Sequence, residues 1–189
     1  IMVAGATSMS ERRRSDVQDY SKSLLGLAKA GFQPDDSITR KLAASVAERS
    51  SDAKPNELSN TLWAVAKLDS SPDASTVRKL ATAVAEHSNP DPQALSNTLW
   101  ALATLGCNLD DSTVSKLAAA MAEHSSKAKP QELSNTLWAL ATLDCNLDES
   151  TVSKLAAAVA ERSSEAAPQA LANTLWALSH PKLGWYDAH

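Results

Sequence analysis

SNTLWAVA at 59–66, SNTLWALA at 96–103, SNTLWALA at 134–141 and ANTLWALS at 172–179 are four copies of one phrase. Their tryptophans, Trp63, Trp100, Trp138 and Trp176, stand 37, 38 and 38 residues apart. A diverged copy, SKSLLGLA at 21–28, places Leu25 another 38 residues upstream. A period in this range marks a rod of stacked helical units. Rods of this kind present an extended surface, so the expectation moves from an enzyme pocket to a binding module.

One repeat can be read from its own residues. Pro55, Pro92, Pro130 and Pro168 share a column just before the tryptophan phrase, where a first helical turn tolerates the missing N–H. The helix is expected over 56–68, with Leu58, Leu62, Val65 and Ala66 on an apolar face at i, i+4, i+7 and i+8. Acidic residues near Asp73, Asp110 and Asp111, and Asp148 are placed to cap a second helix. That helix carries Val77, Leu80, Ala81 and Val84, repeated as Val114, Leu117, Ala118 and Met121 and as Val152, Leu155, Ala156 and Val159. Lys79 and Glu86, with Lys116, Glu123, Lys154 and Glu161, give it an outer surface of mixed sign. With five glycines and no alternating β-branched runs, a sheet is not expected. The predicted fold is all-α: a right-handed α-solenoid of about five helical-hairpin repeats, about 38 residues each. The expected divisions are a flexible segment at 1–15, the solenoid at 16–180 with its last hairpin incomplete, and a tail or cap at 181–189. In that tail Trp185 and Tyr186 are expected to fold back near Leu175 and Leu178.

A narrow polar stripe runs along the tryptophan helix. Asn56, Asn60 and Lys67 fall within about 40° of one another at 100° per residue. The matching sets are Gln93, Asn97 and Thr104, then Gln131, Asn135 and Thr142, then Gln169, Asn173 and His180. The first copy supplies Gln18, Lys22 and Lys29. Amides, hydroxyls and a few cations in one arc suit the edges of unpaired bases and the phosphates beside them. The identical asparagines also fit a structural role, because a position that reads different bases varies along a rod. The varying column (Lys67, Thr104, Thr142, His180) is the better reader. The tryptophans read as repeat-to-repeat packing, with base stacking as the alternative.

The net charge of −4 supplies no overall basic stripe of the kind a backbone-tracking nucleic-acid binder carries. Cys107 and Cys145 share a column one repeat apart, too far for a disulfide, and read as free thiols. No metal site, cofactor or catalytic residue is expected, since nothing joins a nucleophile to a base and an orienting acid. No apolar stretch reaches membrane-spanning length. His87 and His124 share a column with Arg49 and Arg162 and read as surface variation.

The phrase SNTLWALATLG at 96–106 resembles the octotricopeptide repeat family, and the resemblance extends over about 18–180. It rests on Leu99, Trp100, Ala101, Leu102, Ala103 and Leu105 and their equivalents. The resemblance implies an organellar protein, in chloroplast stroma or mitochondrial matrix, binding single-stranded RNA in maturation, stability or translation. It also implies accessory membership of a ribonucleoprotein such as the organellar ribosome, with other protein subunits as partners and no DNA. The rival expectation is a protein-binding scaffold subunit without direct RNA contact. The residues placed at an RNA interface are Lys22, Lys29, Asn60, Lys67, Asn97, Thr104, Asn135, Thr142, Asn173 and His180.

Overall fold

The computed structural model describes residues 2–107 and 109–183, and the side chains of 9 and 11 onward within them. Nine α-helices are found among the described residues. They are α1 (Met2–Ala30), α2 (Asp36–Glu48), α3 (Pro55–Lys67), α4 (Ala74–Ala85), α5 (Pro92–Leu105), α6 (Asp111–Glu123), α7 (Pro130–Thr142), α8 (Glu149–Glu161) and α9 (Pro168–Leu178). Short 3-10 turns at Ser50–Asp52, Ser125–Lys127 and Ser163–Glu165 lead into α3, α7 and α9. The entry to α5 lacks such a turn, and its loop is the one that is shortened to give the 37-residue spacing.

The odd-numbered helices pack side by side in the order α1, α3, α5, α7, α9 and form the tighter of two layers. The even-numbered helices form the second layer, each touching its even neighbours and the odd helices on either side. Each unit therefore leans on its nearest neighbours, as in a helical-repeat stack. Both apolar columns meet between the layers: Leu58, Leu62, Leu80, Leu99, Leu117, Leu137 and Leu155 are all at most 1% exposed.

Local chemistry explains the helix ends. Each of Pro55, Pro92, Pro130 and Pro168 is the first residue of its helix, where its fixed φ is already helical. Asp35, Asp110 and Asp148 cap α2, α6 and α8 by accepting from the N–H of Ser37, Thr113 and Thr151 at 2.8, 2.9 and 2.9 Å. Asp148 also accepts from the hydroxyls of Ser150 and Thr151, and these bonds hold its carboxyl at about 2. Before α3 and α7 the cap runs the other way: Glu57 and Glu132 accept from the N–H of Lys54 and Lys129, each at 2.8 Å.

The serines and threonines of the repeated phrase are structural. Ser59, Thr61, Ser96, Thr98, Ser134 and Thr136 are buried at the contact between odd helices. Thr61, Thr98 and Thr174 donate one turn back to the carbonyls of Glu57, Ala94 and Ala170 at 2.8–2.9 Å. A small hydroxyl satisfied within its own helix lets two helices approach closely, although in α7 the buried Thr136 hydroxyl has no partner among the described residues.

Four odd helices end on one left-handed residue each: Gly31, Asp69, Gly106 and Asp144, with φ of 66, 51, 60 and 54°. A side chain in this conformation costs about 1 kcal/mol, which glycine avoids. Asp144 recovers part of that cost by pairing with Lys182 at 3.2 Å. Asp69→Gly is therefore expected to raise the unfolding free energy by about 0.5 kcal/mol, after the entropy glycine adds to the unfolded chain. Urea unfolding of the single variant measures it.

At the start of the chain, residues 2–15 form the first half of α1. Ser, Glu and Arg there are adequate helix formers and extend a helix nucleated by the packed part, although residues 11–15 are exposed. At the other end Pro181–Leu183 forms a 3-10 turn that buries Leu183, while Trp185 and Tyr186 lie outside the described residues.

Candidate nucleic-acid interface

The polar stripe survives in three dimensions and gains a member. On α3 the sequence Asn56, Asn60, Trp63, Lys67 advances by four, three and four residues, so all four side chains share about 60° of arc. The same set occurs as Gln93, Asn97, Trp100, Thr104 on α5 and Gln131, Asn135, Trp138, Thr142 on α7. Side-by-side packing of the odd helices sets these stripes next to one another.

Exposure is graded along each stripe. Asn56, Gln93 and Gln131 are exposed, the asparagines Asn60, Asn97, Asn135 and Asn173 are half-buried, and Lys67, Thr104 and Thr142 are exposed. Lys22 and Lys29 are exposed on α1. Trp63, Trp100 and Trp138 are half-buried, and Trp176 is 49% exposed. The tryptophans thus lie at the border of the core: Trp63, Trp100 and Trp138 pack against it as expected while staying partly exposed. Trp63 and Trp100 touch across repeats, with ring centroids 6.3 Å apart and planes tilted by 36°.

The hydrogen bonds leave much of the stripe available. Asn60 and Asn97 make no side-chain hydrogen bond among the described residues, whereas a purely structural amide would be tied down. Gln131 donates to Asn135 at 2.8 Å, and Asn56 donates to Asp91 at 2.9 Å, across the joint to the next repeat. Thr104 and Thr142 donate to the carbonyls of Trp100 and Trp138, each at 2.8 Å. That orients each hydroxyl oxygen outward as an acceptor.

His180 departs from its column. It lies beyond the last residue of α9 and its C-cap Ser179, and is half-buried. Its ring sits 6.1 Å from that of Trp176, and Nδ1 has no partner among the described residues. The short α9 is the reason: the helix stops two residues before the position that Lys67 and Thr142 fill as the final residues of α3 and α7.

The cations gather at one end. Lys22, Lys29 and Lys67 belong to the first two odd helices, and α1 brings Arg14 to a shallow depression it shares with Lys54 and His87. Arg14 falls within 1–15, the segment expected to be flexible. Its position four residues before Gln18 is the signal that places it in the stripe's register. The acidic members nearby are Asp52 in that depression and Asp91 against Asn56.

Arg162, in the column of His87 and His124, donates through Nη1 and Nη2 to the carbonyls of Ala128 and Ser126, in the loop one repeat back. Cys107 is half-buried and Cys145 buried, both free thiols. Burial pushes both thiols above their ordinary range. Among the described residues no group of three or more His, Cys, Asp or Glu is placed to hold a metal ion. Nor is any described helix long and apolar enough to cross a membrane.

Stacked helical units with one repeated polar and aromatic stripe define a helical-repeat protein built around an extended face. The chain belongs to the family described as the Tbc2 translation factor, N-terminal domain, whose model matches residues 12–117 and again 107–181. That finding corrects the expected membership of the octotricopeptide repeat family. The second match begins inside the chain, in keeping with a molecule made of repeated units. No curated protein matches the chain.

Proposed function

We propose that the chain binds single-stranded RNA along the stripe of the odd helices and serves an organellar translation or RNA-maturation assembly. The observation that carries this reading is the repeated combination of an unpaired or lightly bonded amide, a half-exposed indole and an exposed hydroxyl or lysine on adjacent helices. Amides and hydroxyls match base edges, indoles offer a stacking plane to any base, and lysines neutralise phosphates. Membership of a translation-factor domain family supports an RNA or ribonucleoprotein setting and, with it, an organellar location. Neutral readers on α5 and α7 and cations on α1 and α3 divide the work: the first two odd helices anchor the backbone and the later ones contact bases. Protein subunits of the same assembly are expected partners, and no DNA contact is proposed.

The test is a salt titration of RNA binding. Converting Lys22, Lys29 and Lys67 together to glutamine removes up to three phosphate contacts. For a single strand that lowers the slope of log affinity against log salt by about 2. An unchanged affinity and slope in filter binding would assign RNA contact, if any, to another face. Crosslinking of uracil to peptides spanning 60–67, 97–104 or 135–142 gives independent support.

A further inference from the structure

The loop before α3 and the loop before α7 are equivalent, yet different side chains meet them. Pro130 lies 75 residues after Pro55, so Ser51, Ala53 and His87 correspond to Ser126, Ala128 and Arg162. Arg162 reaches back over its loop and donates to the carbonyls of Ser126 and Ala128. His87 is shorter and stays exposed. In its seam a depression of about 300 Å³ remains, lined by Arg14 of α1, by Ser51, Asp52, Ala53 and Lys54 of the loop, and by His87. Three nitrogen-bearing side chains from three elements thus surround one carboxylate, Asp52, in a chain whose net charge is −4. Neither Arg14 nor Lys54 enters an ion pair among the described residues. The other carboxylate close by, that of Glu57, accepts from the N–H of Lys54 and does not line the depression.

We propose that this depression binds one phosphate group. Arg14, Lys54 and His87 donate to its oxygens, and charge-assisted bonds of this kind are the strong ones. A phosphate presents its oxygens around a tetrahedron and suits donors that arrive from three elements, whereas a carboxylate presents two oxygens in one plane. Asp52 keeps the binding weak and reversible by like-charge repulsion. Arg14 stands four residues before Gln18, the first member of the stripe on α1, so a strand lying along that stripe brings its backbone to the depression. The phosphate is therefore assigned to the RNA backbone. That assignment rests on the RNA reading, while the site itself does not.

The probe is inorganic phosphate, added to the full chain at constant ionic strength with chloride as the control and followed by amide NMR signals. Saturable shifts, largest at 51–54 and 87, are expected with phosphate and absent with chloride. Arg14→Gln combined with Lys54→Gln should weaken the binding roughly fivefold, and Asp52→Asn should tighten it roughly twofold. His87→Arg is the sharper variant. It places the side chain of Arg162 in this seam, tied to the carbonyls of Ser51 and Ala53, and should weaken phosphate binding although it adds positive charge. These side chains are exposed or half-buried, so the variants keep the fold, which circular dichroism verifies. No saturable shift, or binding by His87→Arg as tight as the parent's or tighter, overturns the proposal. With RNA, the Arg14→Gln and Lys54→Gln pair should lower the slope of log affinity against log salt by about 0.7, the share of one phosphate on a single strand. An unchanged slope together with lost phosphate binding overturns the assignment to RNA and gives the site to a free phosphate. A chain that binds no RNA at all sinks the stripe reading, and the phosphate titration still decides the site.

Discussion

Leu137→Ala is expected to lower the unfolding free energy by about 3–4 kcal/mol, and Leu175→Ala by no more than about 0.5 kcal/mol. The two leucines hold the same place in consecutive repeats, yet the first is fully buried and the second 70% exposed. Removing the first leaves a cavity between α7 and its neighbours, which a close-packed interface cannot collapse to fill. The second already meets solvent, so truncation removes little buried surface. Natural domains are held by only about 5–15 kcal/mol in total, so the first loss would be plain in urea unfolding. Equal costs at the two positions would refute the exposure of Leu175 and show that it is as well covered as Leu137.

Trp138→Leu is expected to weaken RNA binding about tenfold while changing the unfolding free energy by much less than truncation to alanine would. A base stacked on an aromatic ring contributes about 1–3 kcal/mol, and each 1.4 kcal/mol is a factor of ten. Leucine keeps most of the half-buried packing and loses the flat face. Trp63→Leu should cost less RNA affinity. The Trp63 and Trp100 centroids are 6.3 Å apart, and a base inserted between two rings needs about twice the 3.4 Å base step. Trp63 and Trp100 already touch, so no base stacks between them without the pair opening. A Trp138→Leu variant that binds RNA like the parent protein would return the tryptophans to packing alone.

Much of the fold was legible because its rules are local. The tryptophan period, the prolines at first helical positions and the capping aspartates Asp110 and Asp148 each depend on a few adjacent residues, whereas Asp73 makes no cap bond to α4. The buried columns from Leu58 to Leu155 follow from helical spacing. The position of the indoles was harder. Leucine and alanine on both sides of Trp63 suggest a core residue by composition, while its angle, close to Asn60 and Lys67, puts it on the border. Angle decides the matter, because a helix buries a face and not a segment. Arg162 was beyond the reach of periodicity: its partners Ser126 and Ala128 belong to a loop one repeat away, and only the packing of units brings them together. His180 misses its column because α9 ends early, and Pro181, which disfavours helical backbone at the residue before it, is the local stop signal.

The proposed reading column and the folding columns barely share atoms. Thr104 and Thr142 are held only by the carbonyl of the tryptophan one turn back in their own helix, and Lys67 stands exposed at the same place. Leu99, Leu102, Leu137 and Leu140 carry the stack from the opposite side of those helices. A change at the outward position leaves the leucines untouched, since exposed substitutions away from caps and cores shift stability by about 0.5 kcal/mol or less. Under the proposed RNA reading, the rod can therefore acquire a new ligand preference one repeat at a time, without passing through unfolded intermediates in sequence space. The same separation makes the chain a ready scaffold for recoding by hand.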